Sequence, residues 1–441
     1  MFENKKMIVV GLGKSGLAAY ELLKEEGADV ILYDGNEEYN GVRPEAELYL
    51  GKDYPKELFQ TADYAVFSPG VPLEIELADF FRAADIPILG EIELAYRLDQ
   101  GQVIGITGTN GKTTTTTLMG EIMKAYNPET YVVGNIGYPY TAEVKKTSEN
   151  SFTVAEISSF QLETAHTFCP KISAILNITP DHLNRHKTME NYTDLKLSIA
   201  KNQGSEEACI LNFEDPILKE RGKDLKCKTL YFSSLGNTEA DMYLDAERNI
   251  RKKDGNVVLN QKETKLPGAH NAENIMAALL MAGEAGVPTE LAVQVVKKFS
   301  PVPHRVELVA EKNGVEYYND SKATNPDAAI KGILSMDRPT VLIGGGYDKN
   351  SDFTQWVQCF NGRVKKLLLM GVTREQIAQT CDRLGFQAYE FVDDLAQAME
   401  KAGEITEPGD AVLLSPACAS WDMFASYEER GDLFKEYVRK I

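Results

Sequence analysis

The chain has 441 residues, 43% of them hydrophobic, and a formal net charge of −19. At roughly 100–200 residues per domain this is two to four domains with cores of their own, and no stretch has the composition of a disordered chain. The acidity argues against a nucleic-acid partner and against an anionic membrane surface, yet leaves room for anionic small molecules at a locally basic site.

The N-terminal apolar run is short and leads straight into glycines, so neither a secretory signal nor a membrane span is expected. The six cysteines are irregularly spaced with no C-x-x-C pair, which fits free thiols in a reducing, cytoplasmic setting. Residues 7–10 read as a strand, 17–23 carry helical apolar spacing up to Gly27, and 30–33 read as a second strand, together a βαβ unit. Its first turn holds Gly11-x-Gly13-x-x-Gly16, with Lys14 and Ser15 between the glycines. Such a turn lets a backbone approach a phosphate at a helix N-terminus. Asp34 ends the second strand, where a carboxylate can meet a ribose. Taken alone, the motif fits a dinucleotide site or a bare tight turn. Strands at 64–67, stopping at Ser68-Pro69-Gly70, and at 86–89, running into a helix at 91–98, complete the block.

A second block opens with a strand at 103–107 and Gly108-Thr109-Asn110-Gly111-Lys112-Thr113. The loop N–H groups can wrap phosphate oxygens, Lys112 supplies charge near the terminal phosphates, and Thr113 can hold Mg²⁺. Ile106 stands where the strict P-loop pattern has glycine, so the loop is a P-loop relative. Thr114 extends it, and the later threonines read as helix-face filler. A strand at 153–157 ends near Glu156, placed to reach a nucleotide-bound metal. A strand at 172–178 leads to Asp181 and His182. A strand at 208–212, a strand-rich stretch over 228–268 and a helix over 271–285 follow, and Pro301-Val302-Pro303 reads as a linker. A third block has strands at 315–318, 340–343, 366–370 and 411–414. Three α/β blocks, each with a glycine-rich strand-to-helix turn, predict three domains. These are a Rossmann-like domain over 1–97, a central P-loop-type ATPase domain over 98–299 and a Rossmann-like domain over 300–441. A nicotinamide-dependent oxidoreductase would use the first glycine turn and leave Lys112, Glu156 and His182 idle. An ATP-using enzyme, or a non-enzymatic ATP-binding switch, uses the second.

The segments GTNGKT (108–113), EISSFQLE (156–163) and NITPDHLNRH (177–186), in this order and spacing, resemble the Mur ligase family. The resemblance runs along the whole chain. It implies a ligase that uses ATP to activate a carboxylate as an acyl phosphate and joins it to an amine. It implies two Mg²⁺ held by Thr113, Glu156, His182 and Lys196. Lys196, in Tyr192-Thr193-Asp194-Leu195-Lys196, matches the family's carbamylated lysine. ATP contacts are implied for Gly108 to Thr114, Asn271, Arg305 and Asp320. Capping by Asn271 and a structural Arg305–Asp320 pair are the competing readings of those residues.

Within the family, three features resemble the branch that adds D-glutamate: the GLGKSG turn, Gly344-Gly345-Gly346-Tyr347-Asp348-Lys349, and Ser415-Pro416-Ala417-Cys418-Ala419-Ser420-Trp421-Asp422. That branch implies UDP-N-acetylmuramoyl-L-alanine as a partner at Gly13, Lys14, Ser15, Asp34, Gly70, Asn135, Ser159, Gln161 and His182. It implies D-glutamate at Lys322, Thr324, Lys349, Ser420, Tyr427 and the Trp421 backbone. A sister ligase with another incoming amino acid is the nearest alternative. The expected protein is a monomer, with the third domain closing over the nucleotide.

Overall fold

The structure, a computed structural model, describes residues 1–39, 41, 46–300, 303–336, 338–347 and 351–441. Residues 301 and 302 of the expected linker, and Asp348 and Lys349, lie outside these described residues. The chain packs as two compact units. One comprises Met1–Asn260 with Glu273–Lys297, and the other Gln261–Ala272 with Lys298–Ile441.

The first unit contains two sheets. The N-terminal sheet has β1 (Lys6–Val10), β2 (Asp29–Asp34), β3 (Glu47–Leu50), β4 (Tyr64–Phe67) and β5 (Ile88–Gly90), all parallel, in the order β3-β2-β1-β4-β5. Helices cover both faces of a parallel sheet, so its strands read as unbroken apolar runs. Met7, Ile8, Val9 and Val10 are all buried, alternate residues entering the two cores on either side. Strand order reverses beside β1, and the Gly11–Gly16 turn leaves the carboxyl end of that strand, where open α/β sheets place ligands.

The central sheet contains β6 (Gln102–Thr107), β7 (Thr130–Gly134), β8 (Phe152–Glu156), β9 (Ile172–Ile175), β10 (Ala208–Asn212), β11 (Lys228–Ser233), β12 (Met242–Leu244), β13 (Asn249–Lys252) and β14 (Val257–Asn260). Its order is β14-β13-β12-β11-β10-β9-β6-β8-β7, antiparallel only at the β12-β13-β14 end. β6 lies between β8 and β9, so the loop after β6 is flanked by the ends of both.

The second unit is built on β15 (Glu307–Lys312), β16 (Val315–Asn319), β17 (Thr340–Gly344), β18 (Val364–Leu369), β19 (Tyr389–Phe391) and β20 (Ala411–Leu414). The order is β15-β16-β20-β17-β18-β19, with only β15 antiparallel to its neighbour.

Four strands escape the sequence reading: β3, β7, β15 and β19. Each is an edge strand or lies next to one, and three of them carry too few buried positions to stand out. The expected strand over 172–178 is shorter and ends at Ile175. Beyond it the Leu176 N–H donates to Thr107 O (3.0 Å) and the Ile178 N–H to the Asp215 carboxylate (2.7 Å), so the chain leaves the ladder to wrap the loop after β6. Among the described residues, no helix is long and apolar enough to cross a membrane.

Candidate active site

The N-terminal turn is shaped by its glycines. A Cβ on Gly16 would stand 1.9 Å from Gly11 O, so only glycine lets the helix Lys14–Glu25 pack this closely. Gly13 precedes that helix without a side-chain cap, leaving first-turn N–H groups available to an anion. Lys14 is exposed and Ser15 half-buried beside them, and Gly70 lies exposed after β4. Asp34 accepts from the Leu12 N–H (2.8 Å) and the Asn36 N–H (2.9 Å), so its carboxylate also braces the turn.

The loop after β6 makes a tight glycine turn despite Ile106. Gly111 sits at φ +85°, and a Cβ there would come within 2.4 Å of Asn274 Oδ1. The helix Lys112–Tyr126 then begins without a side-chain cap. Lys112 Nζ donates to Gly108 O and Thr109 O, both at 2.8 Å. Asn110 is clamped by Asn177, whose Oδ1 accepts from the Asn110 N–H (2.8 Å) and whose amide donates to Asn110 O (3.1 Å). Thr109 Oγ1 donates to Thr179 O (3.0 Å) and lies 3.1 Å from the Tyr192 hydroxyl. Thr113 and Thr114 are buried in the first helical turn.

Lys196 lies on the helix Met189–Leu197, started by the Thr188 side chain. Its side chain is 1% exposed, and Nζ donates to the same Gly108 carbonyl at 2.9 Å. Burial, and next the nearby Lys112, hold its pKa well below the ordinary lysine range, against a smaller opposing pull from Asp181. A neutral amine is nucleophilic, which is the state that captures CO₂. Glu156, at the end of β8, is also 1% exposed. Its Oε1 accepts from Asn135 Nδ2 (2.7 Å), while Oε2 is buried with no hydrogen-bond partner. A lone buried carboxylate oxygen is a donor suited to a hard cation. His182 is left-handed, at φ 53°, with its ring 4.9 Å from that of Phe160. Among the described residues, no three His, Cys, Asp or Glu side chains group to hold a metal by themselves. A cation here would draw on Glu156 together with hydroxyl, imidazole and modified-lysine donors. The Ser159 hydroxyl lies 2.9 Å from His186 Nε2, and Gln161 closes a capping box with Ser158.

In the second unit, Asn271 donates to Pro267 O (2.7 Å) from inside the helix Ala269–Glu284, which sets aside the capping reading. Arg305 Nε is buried without a partner. Asp320 accepts from Ser415 Oγ (2.7 Å) and the Val306 N–H (3.2 Å), with no ion pair to Arg305. Burial pushes its pKa up to about 7 against these bonds. Ser420 Oγ is buried without a partner, and Lys322 Nζ lies 5.3 Å from the Tyr427 ring centroid. Thr324 precedes the helix Pro326–Leu334, which Asn325 caps. Trp421 is 64% exposed, its ring 5.6 Å from Tyr347.

Sequence reasoning passed over Asn177 and Tyr192 as loop braces, and Arg430. Arg430 is fully buried and donates to Ser321 Oγ (2.9 Å), Ser321 O (2.8 Å) and Cys418 O (3.2 Å), joining two segments implied to bind the amino acid. Its signal was an arginine on an otherwise apolar stripe of the helix Tyr427–Lys440.

Three family models match the chain: "Mur ligase MurD-like, N-terminal domain" over residues 5–90, "Mur ligase middle domain" over 106–282 and "Mur ligase, glutamate ligase domain" over 304–418. Proteins named UDP-N-acetylmuramoylalanine--D-glutamate ligase are similar along their whole length. The one from Lachnospira eligens is 50% identical over 449 residues, covering 100% of this chain and 99% of its own. The one from Lachnoclostridium phytofermentans is 50% identical over 451 residues with the same coverage. Among solved structures, the UDP-N-acetylmuramate-alanine ligase MurC of Thermotoga maritima superposes with a TM-score of 0.62 at 16% identity, covering 99% of this chain and 100% of its own. MurF of the same organism, solved with ADP, gives 0.62 at 17%, covering 99% and 96%. At such identities these two speak for the fold alone. With the three models spread along the chain and half its residues shared with full-length relatives, this chain belongs to the Mur ligase family.

Proposed function

We propose that the protein is an ATP-dependent ligase that joins D-glutamate to UDP-N-acetylmuramoyl-L-alanine in peptidoglycan precursor synthesis. The observation that carries this reading is 50% identity, end to end, with relatives of that name. We keep the division into domains 1–97, 98–299 and 300–441, and read the protein as a cytoplasmic monomer.

A carboxylate resists attack because its charge repels an amine and its leaving group is oxide. Transfer of the ATP γ-phosphate to the L-alanyl carboxylate releases ADP and gives an acyl phosphate, whose leaving group is phosphate. The D-glutamate amine, neutral after its ammonium gives a proton to solvent, then attacks, and the tetrahedral intermediate sheds phosphate and one N–H proton to leave the amide. Phosphoryl transfer asks mainly for positioning and charge neutralisation. In this reading Lys112 and the N–H groups of Gly108 to Thr114 hold the triphosphate, and Asn271, Arg305 and Asp320 also bind ATP. The partnerless Arg305 Nε suits a phosphate oxygen. Gly13, Lys14, Ser15, Asp34 and Gly70 bind the UDP end of the first substrate, and Asn135, Ser159, Gln161 and His182 its muramoyl end. Lys322, Thr324, Lys349, Ser420, Tyr427 and the Trp421 backbone receive D-glutamate.

Thr113, Glu156, His182 and a carbamylated Lys196 would hold Mg²⁺, and the orphan Glu156 oxygen fits that role. Bound there, Mg²⁺ supplies positive charge against the phosphate oxygens. Carbamylation would convert the neutral Lys196 amine into an anion; the proton released passes to solvent. The test is ADP release with UDP-N-acetylmuramoyl-L-alanine and ATP across amino acids of both chiralities. Turnover that needs D-glutamate is expected. Turnover with another amino acid only, or ATP hydrolysis indifferent to both co-substrates, would replace this reading.

A further inference from the structure

Arg185 is four-fifths buried and stands between the two sheets of the first unit. Its Nε and Nη2 grip the Glu163 carboxylate at 3.0 and 2.5 Å. Its Nη1 donates to Pro69 O (3.0 Å) and its Nη2 also to Val71 O (3.3 Å). These carbonyls flank Gly70. The guanidinium carbon sits 4.2 Å from the Phe160 ring centroid, which fixes its plane. A planar fork meets the carboxylate and both carbonyls at once, which the single ammonium of a lysine does not span.

On one side of Arg185, the loop after β4 packs on the N-terminal glycine turn. Ser68 Oγ donates to Gly11 O (2.7 Å), and a Cβ on Gly11 would meet Val71 Cγ2 at 2.6 Å. On the other side, Glu163 ends the helix Ser159–Leu162, which follows directly from Glu156, and the Arg185 N–H donates to His182 O (3.0 Å). His186 extends the same junction. Its Nδ1 lies 3.6 Å from Glu163 Oε1, and its ring lies tilted 5.3 Å from that of Tyr192, whose hydroxyl is 3.1 Å from Thr109 Oγ1. Burial lowers the His186 pKa to about 4, so its ring stays uncharged at neutral pH beside the Arg185–Glu163 ion pair.

We propose that Arg185 is a positioning residue for the UDP-linked substrate. It sets the Ser68–Val71 loop, and the glycine turn beneath it, at one distance from Glu156 and His182. The inference rests on the proposed function, in which one substrate is held at the turn and reacts near Glu156. A ligand that spans the two feels any slip between them, whereas ATP, held by the Gly108–Thr114 loop, does not.

The experiment compares wild type, Arg185→Lys and Glu163→Gln in steady-state ADP release, with each substrate varied in turn, alongside thermal melting. Arg185→Lys should raise KM for UDP-N-acetylmuramoyl-L-alanine about tenfold or more and leave KM for ATP within about twofold. Glu163→Gln, which keeps the bonds to Pro69 and Val71, should move the same constant in the same direction by less. Unchanged constants overturn the inference. So does a parallel rise in both KM values that tracks a fall in melting temperature, because that marks a residue needed only for folding. A wild type without D-glutamate-dependent turnover sinks the functional reading and this inference together. An active wild type beside an indifferent Arg185→Lys sinks this inference alone.

Discussion

Replacing Lys196 with methionine separates chemistry from stability. The lysine is 1% exposed, has one backbone acceptor, and has its pKa pressed well below the ordinary lysine value by burial and by Lys112. Below the ordinary lysine value the fold must either take the proton from this amine or bury its charge, and both cost stability. The hydrogen bond to Gly108 returns about 1 kcal/mol. Methionine has similar length and no proton to lose, so Lys196→Met should be as stable as wild type or more stable in CO₂-stripped buffer. The sign with pH follows from the lowered pKa. Between the folded value and the ordinary 10.5, the unfolded state holds a proton that the folded state lacks, so wild-type stability rises with pH. The advantage of methionine should therefore be widest at low pH and close as pH approaches 10.5. Turnover should nevertheless fall by about 10²–10³-fold or more, the scale of losing an anionic group that organises charge at a phosphoryl-transfer site. Melting scans over pH and an ADP-release assay read both quantities. Wild-type activity should also drop in CO₂-stripped buffer and return with bicarbonate, while the variant ignores it. Near-wild-type turnover by Lys196→Met, or a melting temperature several degrees lower, would refute the reasoning.

Glu156→Gln keeps the acceptor for Asn135 but removes charge from the orphan oxygen, so Mg²⁺ should half-saturate turnover at about tenfold higher concentration or more, measured by titrating Mg²⁺ against ADP release. Asp320, with its pKa raised to about 7, holds a proton in the fold that the unfolded chain releases above 3.8; this contribution is complete below that value and is lost as pH rises through 7. Wild-type melting temperature should fall across that window, and Asp320→Asn should flatten the dependence, which is worth at most ~4 kcal/mol. Glu93 is fully buried and accepts from the backbone N–H groups of His166, Thr167 and Phe168 and from Arg97. Glu93→Ala should cost ~3–5 kcal/mol, read by urea melting, because it orphans all of these donors at once.

What could be read from the sequence was whatever is local in it. The glycine turns announce themselves because a positive φ at Gly111 and the 1.9 Å approach at Gly16 leave no other residue possible, and continuous apolar runs such as Met7 to Val10 mark strands covered on both faces. Edge strands such as β15 face solvent on one side and lose that mark. The site is legible where one residue type serves one task, as with Lys112 after its glycine. It is illegible where the task is relational. Nothing near Arg185 in the chain names Pro69 or Val71 as its partners, since a sequence separation of 116 and 114 residues carries no pattern. The fate of Lys196 is decided likewise: helical spacing reads it as a surface lysine, and only the fold brings it to the Gly108 carbonyl, 88 residues away, in surroundings that press its pKa down. Groups that recognise phosphate can be found by motif because their geometry is built from neighbours. Groups whose reactivity comes from burial emerge only once distant segments have closed around them.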